Sequence, residues 1–329
     1  MTLSCAFATS ERSHEHARIA EDLGYAHAWF YDSPALYPDV WVQLCRAAER
    51  TTRIGLGPGV LVPSLRHPMV NAAAIATLVG IAGEARVAIA IGSGFSGRFT
   101  LGQRPMKWTD VVAYLRTLRA LLAGEEVEWD GGLLQMLHPA GFGAPRPIRV
   151  PIVVAAAGPK GIAAAERHGD GVFGASMPIP GFARSIVLTF GTVLERGEAP
   201  DAPRVLAAAG HAAPVLFHFA MEHHRLALLP NGEAWAAAYA GVPAPARHLA
   251  LHDRHLIAVN ERDRPFVTGE LLAQHGFALD AAGWRERLAM LASMGATEIA
   301  YQPAGPDIPG ELERFAAAAR GSEASPQAR

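Results

Sequence analysis

A glycine-rich turn near the middle of the chain has residue types that could bind a charged group. Residues 155–161 read Ala-Ala-Ala-Gly-Pro-Lys-Gly, after a β-like apolar run and before a helix-like segment. Glycine lets a ligand approach the backbone, and a helix N-terminus offers free N–H groups and partial positive charge. The turn therefore predicts a phosphate site at Gly158, Pro159, Lys160 and Gly161. An ordinary turn stays an alternative, because the run lacks both the Walker and the dinucleotide spacing.

Two further glycine clusters fall within or after β-like runs. Residues 92–94 read Gly-Ser-Gly after the fourth run, and residues 57–60 read Gly-Pro-Gly-Val within the third. Glycine inside a strand permits a bulge or a close backbone approach. In α/β barrels the carboxyl ends of the strands carry the site. A tight turn alone would explain either cluster, so we treat both as candidates.

The histidines do not have the spacing of a metal site. His14 and His16 are two residues apart on a predicted helix, and His223 and His224 are adjacent. Residues 252–255 hold two histidines without a carboxylate or cysteine at ligand spacing. We therefore expect no bound metal.

The composition excludes several classes of protein. Half of the 329 residues are apolar, 18% are charged and the formal net charge is −2, which is typical of a globular chain with a large core. We expect no nucleic-acid partner, no leader peptide and no membrane span, and a cytoplasmic setting. The two cysteines, Cys5 and Cys45, are interpreted as small hydrophobes in a reduced environment. Lys107 and Lys160 are the only lysines.

Short apolar runs alternate with helix-like segments along the whole chain. We predict strands at residues 3–8, 26–31, 54–62, 86–91, 152–157, 171–175, within 205–219, and at 297–302. We predict helices at residues 11–23, 39–51, 67–82, 109–122, 162–168, 182–196, 279–294 and 311–320. Eight such units predict an α/β fold of the (β/α)8 TIM-barrel type. A doubly wound open sheet gives a similar pattern, but eight units favour closure.

The domain prediction is a single barrel over residues 1–320. Residues 125–150, which include a Trp-Asp-Gly-Gly run, are interpreted as a hairpin insertion. Residues 222–274 are long and rich in histidine, and are interpreted as a lid or second insertion. We expect residues 321–329 to form a flexible tail.

Several ordered runs also match a known family in sequence and spacing. They lie at residues 56–68, 76–78, 86–94, 121–125, 157–160, 169–172 and 298–305. Together they resemble the luciferase-like flavin and deazaflavin oxidoreductases, and in particular the methylenetetrahydromethanopterin-reductase-like branch. That resemblance implies a luciferase-like TIM barrel and a cofactor, which is coenzyme F420 in many members and FMN in others.

The resemblance also implies roles for individual residues. It places the cofactor ring at the carboxyl-end mouth of the barrel, supported from behind by a non-proline cis peptide, here Gly59–Val60. Ser93 and Gly94 match positions beside the ring. Residues 158–161 match the loop that takes the cofactor phosphate.

At the end of the second strand, Asp32 and Ser33 match positions close to the reactive face. Some deazaflavin sugar-phosphate dehydrogenases have histidine where this chain has Ser33, and glutamate where it has Phe95. Both differences argue against that activity. The histidine and cysteine of bacterial luciferase have no counterpart either, so no acid/base residue is assigned.

Three functions fit the resemblance. The first is an F420-dependent oxidoreductase that transfers hydride to or from a small organic substrate. The second is an FMN-dependent monooxygenase using dioxygen, and the third is a non-catalytic flavin- or deazaflavin-binding protein. A homodimer is expected from the family. The candidate substrate contacts are Trp29, Phe30, Tyr37, Phe95, Arg98, Arg104, Trp235 and His252.

Overall fold

The structure, a computed structural model, describes residues 1–321 as an alternation of strands and helices. The strands are β1 Thr2–Phe7, β2 His27–Phe30, β3 Gly55–Pro58, β4 Ile89–Gly92, β5 Val127–Trp129, β6 Gly132–Leu134, β7 Ile152–Ala155, β8 Val172–Ala175, β9 Ser185–Phe190, β10 Thr192–Val193, β11 Ala278–Leu279 and β12 Glu298–Gln302. The helices are α1 Ser13–Asp22, α2 Val40–Arg50, α3 Pro68–Ala82, α4 Phe95–Phe99, α5 Trp108–Ala123, α6 Gly158–His168, α7 Pro203–Ala209, α8 Ala212–Glu222, α9 Gly232–Ala237, α10 Arg247–Leu251, α11 Gly269–Gln274, α12 Ala281–Ser293 and α13 Ile308–Arg320. The predicted tail lies, from residue 322 onward, outside the described residues.

Eight strands form one nearly closed parallel barrel. Their order in the sheet is β3-β2-β1-β12-β9-β8-β7-β4. The two ends of this series are joined by isolated parallel bridges from Leu56 to Val87 and from Leu61 to Ile91. The strands are buried almost throughout, as expected for a parallel sheet covered on both faces. The TIM-barrel prediction is confirmed.

The seventh barrel strand lies elsewhere than the sequence predicts. Residues 182–196, predicted as a helix, contain strand β9, whose sequence Ser-Ile-Val-Leu-Thr-Phe is rich in β-branched residues. Residues 205–219, predicted to hold the strand, form most of helices α7 and α8. Both predictions are wrong. The β-branched run packs well on a pleated surface, whereas residues 203–222 are rich in alanine and begin with proline in the first turn.

The stretch at residues 125–150 contains the predicted hairpin. Strands β5 and β6 pair in antiparallel fashion, with Val127 opposite Leu134. The two turn residues, Asp130 and Gly131, both have positive φ, at 56° and 78°. Two positive φ values match the twist of a tight hairpin and account for the Asp-Gly sequence.

The described chain groups into two compact units. One comprises residues 1–99, 103–188 and 294–300, and it contains the barrel strands except for the last two residues of β9 and of β12. The other comprises residues 100–102, 189–293 and the described chain from Tyr301 onward, and it is mainly helical. The single-domain organisation stays a prediction.

The longest helices are α5, with 16 residues, and α3, with 15. Within residues 1–321, no single helix is both long and apolar enough to cross a membrane. The bent pair α7 and α8 meets that criterion of length and composition only when the two helices are taken together.

Candidate functional site

The carboxyl end of β2 carries a buried acidic residue held by an arginine. Arg66, which follows β3, donates from Nη1 to Asp32 Oδ2 at 2.5 Å and from Nη2 to Asp39 Oδ2 at 2.9 Å. Asp39 Oδ1 also caps α2 by accepting from the backbone N–H of Trp41 and Val42. Arg66 therefore links the end of β2, the start of α2 and the segment after β3.

The electrostatics of Asp32 are set by two opposing effects. Burial raises the pKa of its carboxyl group, and the guanidinium of Arg66 lowers it, with burial the larger effect. Arg66 is in turn fixed by Tyr114, whose hydroxyl donates to the Arg66 carbonyl at 3.0 Å. Asn71 donates to that same hydroxyl at 2.7 Å. The ion pair thus rests on a fixed hydrogen-bond network.

The carboxyl end of β3 turns through the Gly59–Val60 peptide bond. This bond is cis, as the resemblance implies. A Cβ atom at position 59 would lie 2.9 Å from the Cβ of Trp29, so glycine is required for close packing on β2. Val60 is half-buried, and its Cγ2 lies 3.0 Å from where a Cβ would sit on Gly92. The ends of β3 and β4 are therefore in direct contact.

The carboxyl end of β4 continues into Ser93 and Gly94 before the short helix α4. Gly94 has φ +85°, and a Cβ there would lie 2.5 Å from Val62 Cγ1. Ser93 is half-buried, and its carbonyl accepts from the backbone N–H of Met106 at 2.8 Å. Phe95, the first residue of α4, is 42% exposed. Position 95 thus presents an apolar ring to solvent at the barrel mouth.

The turn after β7 has an uncapped helix N-terminus. Helix α6 begins at Gly158, and no side chain of residues 1–321 caps its first N–H groups. Gly158 has φ +71°, and nothing in the described chain lies within 4 Å of where its Cβ would sit. Gly158, Pro159 and Lys160 are exposed. Gly161 is buried against the ring of Trp108, which lies 2.6 Å from where a Cβ atom of residue 161 would sit.

The predicted site residues lie at the carboxyl ends of four adjacent strands. Strand β2 pairs with β3, β3 bridges to β4, and β4 pairs with β7, with Gly92 opposite Ala155. A Cβ on Gly97 of α4 would lie 3.4 Å from Ser33 Oγ and 3.5 Å from the Asp32 carbonyl. The sequence therefore identifies one contiguous patch, and the cofactor-binding role of its residues stays a prediction.

Most of the predicted substrate contacts have other partners. Four of the five aromatic candidates are buried in the core: Trp29, Phe30, Tyr37 and Trp235. Arg98 donates to the Arg104 carbonyl at 2.6 Å and to Ser64 Oγ at 2.5 Å. Burial lowers the pKa of His252, whose Nδ1 lies 2.8 Å from the His248 carbonyl.

Sequence analysis missed two residues of the candidate site. Arg66 lies within a run that matches the family, but its partner Asp32 is 34 residues away and no local pattern connects them. Trp108 packs under Gly161, again across a long sequence separation. The signal for Arg66 in the sequence is its position in residues 56–68, shortly after the predicted third strand.

Neither a metal-binding cluster nor a reactive cysteine contributes to this patch in the described part of the chain. Among the described residues, no group of three or more His, Cys, Asp or Glu is arranged to hold a metal ion. Cys5 is buried and Cys45 half-buried, and neither forms a disulfide within that part of the chain. Burial raises the pKa of both thiols, so both are poor nucleophiles.

A family model described as luciferase-like monooxygenase matches residues 8–298. The chain belongs to this family. The match covers the barrel strands from β2 to β9 and reaches the first residue of β12, so it includes every residue of the patch.

Curated relatives of this luciferase-like chain match about half of its length. A 5,10-methylenetetrahydromethanopterin reductase of Archaeoglobus fulgidus is 32% identical over 161 residues, which is 48% of this chain and 47% of that protein. An F420-dependent glucose-6-phosphate dehydrogenase of Beutenbergia cavernae is 38% identical over 148 residues, or 42% and 41% of the two chains. The chain thus spans less than half the length of both relatives.

One solved structure covers nearly the whole of this luciferase-like chain. It is an F420-dependent secondary alcohol dehydrogenase in complex with an F420–acetone adduct, with a TM-score of 0.64. It covers 97% of this chain and 100% of that one, at 17% sequence identity. At this identity the likeness establishes the fold alone.

Proposed function

We propose that this protein is an F420-dependent oxidoreductase that transfers hydride between the deazaflavin and a small organic substrate. Two kinds of F420-dependent enzyme among its curated relatives support this, namely a glucose-6-phosphate dehydrogenase and a hydroxymycolic acid dehydrogenase. The observation that carries the proposal is the exposed, uncapped start of α6, within the patch that the family match covers.

The start of α6 suits a phosphate group. Its free N–H groups and positive end attract an anion, and the exposed ammonium of Lys160 adds a full charge. Gly158 adopts a left-handed conformation that leaves the space before the helix open. The residues present therefore fit the phosphate of F420 or of FMN.

The ends of β3 and β4 would hold the ring of the cofactor. Gly59 and Val60 offer one wall, while Ser93 and Gly94 offer the adjacent edge. When bound, the cofactor supplies the hydride chemistry, and the protein supplies orientation and exclusion of water. Exposed Phe95 extends the apolar surface at this edge.

Asp32 is the ionisable group that we assign to the substrate side of the patch. Arg66 holds its Oδ2, and within residues 1–321 no hydrogen bond is made to Oδ1. Oδ1 is therefore the atom that accepts a hydrogen bond or a proton from the substrate, while Arg66 fixes the direction of the carboxylate.

Cofactor titration tests the proposal. Purified protein is titrated with F420 and, separately, with FMN, and fluorescence quenching is followed. We expect micromolar binding of F420, weak binding of FMN, and about tenfold weaker F420 binding in Lys160→Ala. Arg167→Ala removes an exposed cation from the other end of the same helix and serves as the matched control.

Other results would select the alternatives. Tight FMN binding with weak F420 binding would replace the proposal with an oxygen-dependent monooxygenase. F420 binding without turnover of any carbonyl or alcohol substrate would favour a non-catalytic binding protein. Binding of neither cofactor to a folded sample would refute all three functions.

A further inference from the structure

A pocket opens at the end of the barrel opposite to the cofactor patch, where the strands begin. Its volume is about 260 Å³. Its polar walls come from the amino-terminal halves of several barrel strands or from the segments that precede them: Ser4, His27, Arg53, Arg86, Arg184 and Glu298. None of these residues belongs to the patch assigned to the cofactor, so the two sites share no side chain.

His27 is fixed inside the barrel at this end. A Cβ on Gly55 would lie 2.2 Å from His27 Nδ1, and one on Gly57 would lie 3.5 Å from Nε2. The two glycines of β3 therefore make room for the imidazole. On the other side, its ring centroid lies 4.0 Å from that of Trp29. The side chain has little freedom to turn towards another partner.

Two residues that line this pocket each carry a deeply buried polar atom without a hydrogen bond. Ser4 is 0% exposed and His27 is 6% exposed, yet neither Ser4 Oγ nor His27 Nε2 has a partner within the described chain. The register that pairs Cys5 with Ala28 places Ser4 directly beside His27 on adjacent strands. Buried polar atoms are nearly always hydrogen-bonded in folded proteins, so an adjacent pair of this kind indicates a ligand.

The charge around the pocket is predominantly positive. Arg184 binds Glu298 at 2.9 Å, and this pair is neutral overall. Arg86 donates only to uncharged oxygens, namely the Thr51 and Ile54 carbonyls at 3.0 Å each and the Thr51 hydroxyl. No carboxylate of residues 1–321 pairs with the exposed side chain of Arg53.

The neighbouring carboxylate of Glu21 does not neutralise these arginines. Its Oε2 accepts from the backbone N–H groups of residues 52–54, at 2.6–2.9 Å. Its Oε1 pairs with Arg18 on its own helix. Two guanidinium groups therefore remain in excess beside the orphaned hydroxyl and imidazole. Guanidinium, hydroxyl and imidazole N–H donors together are a typical donor set for an oxyanion.

We propose that this pocket is a binding site for a small oxyanion of the phosphate type, held by Ser4 Oγ, His27 Nε2 and the guanidinium groups of Arg53 and Arg86. The volume accepts a phosphate group with room for a short substituent, and it is too small for a nucleotide. The ligand is either the free inorganic ion or the phosphate of a small phosphorylated metabolite. The proposal does not depend on the cofactor assignment, because the two sites lie at opposite ends of the strands.

Calorimetric titration with inorganic phosphate tests the site directly. Wild type, Ser4→Ala, Arg53→Gln and Lys160→Ala are compared at constant ionic strength, with chloride as the competing ion. Because phosphate can also occupy the start of α6, binding to this pocket is read from Lys160→Ala, and we expect that variant to retain one phosphate site. In that background, Ser4→Ala and Arg53→Gln should each weaken binding at least fivefold. Arg53→Gln alters an exposed side chain, so this variant keeps the test valid if Ser4→Ala does not fold.

A second readout locates the ion. The ring signals of His27, assigned by comparison with a His27→Asn variant, should shift in proportion to calorimetric saturation. Tighter binding of glycerol phosphate than of inorganic phosphate would identify an esterified ligand, and the reverse order would identify the free ion. Unchanged Kd values in both pocket variants, loss of binding in Lys160→Ala, or no binding to wild type at all would each overturn the proposal.

Discussion

At the scale of single residues, glycines decide how closely the barrel strands and their side chains approach. A Cβ on Gly57 would lie 1.7 Å from the Ala88 carbonyl oxygen, which is backbone and cannot move aside. A Cβ on Gly55 would instead meet the imidazole of His27. The sequence Gly-Leu-Gly in β3 is thus explained by contacts with the neighbouring strands β2 and β4.

Gly57→Ala should destabilise the protein by about 3 kcal/mol or more, because the clash is with fixed backbone. Gly241 is the matched control, since nothing in the described residues lies within 4 Å of its Cβ position and its φ is not in the left-handed region. Gly241→Ala should be neutral or slightly stabilising. Urea unfolding of both variants measures the difference, and equal stabilities would contradict this account of β3.

Arg66→Met should affect both stability and the pH dependence of activity. Removing one partner of a buried ion pair costs about 3 kcal/mol. Arg66 lowers the pKa of Asp32 against the effect of burial, so its loss should raise that pKa further. If the carboxylate form is the active one, the acid limb of the kcat/KM profile moves to higher pH.

The control for this experiment is Arg116→Met, which removes an exposed arginine from α5. It should leave both the urea midpoint and the pH profile unchanged. An Arg66→Met profile identical to that of wild type would show that Asp32 does not titrate in the reaction.

At the scale of secondary-structure elements, a group of buried histidines joins α8 to the segment after α10. The ring centroids of His218, His252 and His255 lie 5.1–5.3 Å from one another. Burial lowers the pKa of His218 to about 3 and that of nearby His211 to about 4. The charges of neighbouring histidines also lower the pKa values of His218, His252 and His255. At His252 the backbone hydrogen bond with His248 and the charge of Glu222 oppose this effect.

Acid should therefore destabilise the folded chain through this group of histidines. A histidine with a lowered pKa binds fewer protons when folded than when unfolded, so stability falls as the pH drops below about 6.5. Between pH 7 and pH 5, His218 alone should account for a loss of about 2 kcal/mol. Urea unfolding at both pH values measures the loss.

Two histidine variants test whether His218 causes the loss of stability at low pH. His218→Phe should reduce the pH-dependent loss, whereas His168→Gln, at the half-buried end of α6, should not. A His218→Phe variant with an unchanged pH slope would mean that this histidine is protonated in the folded protein.

Most of the elements could be predicted because the barrel strands are short, apolar and separated by glycine or proline. The seventh strand could not, since residues 185–190 and 205–219 are both apolar and periodicity alone did not distinguish a short buried strand from a buried helix. The site residues after β3, β4 and β7 were visible as glycine clusters. Arg66, Trp108 and the pairing of Ser4 with His27 depend on contacts between distant residues, which a local pattern does not contain.

At the scale of the whole molecule, the boundary between the two compact units passes through two barrel strands. Residues 185–188 of β9 belong to one unit and residues 189–190 to the other, and β12 is divided after Ala300. We therefore expect calorimetry to show one cooperative unfolding transition, in keeping with the single-domain prediction. Two separable transitions would instead indicate independent domains.

The family resemblance also predicts a homodimer. Light scattering on a size-exclusion column should give twice the mass of the chain, without dependence on phosphate or cofactor. A mass equal to that of one chain at micromolar concentration would contradict the prediction.

Because the chain has two lysines, an amine-selective reagent can label the start of α6 at Lys160 with little competition from other side chains. Lys107 and Lys160 are both exposed, so an amine-selective reagent meets two side chains, one of them in the proposed phosphate turn. Mass-spectrometric footprinting could then follow occupancy of that turn in the unmodified protein, with Lys107 as internal reference. Slower labelling of Lys160 than of Lys107 after addition of a ligand would report binding without mutation or an attached fluorophore.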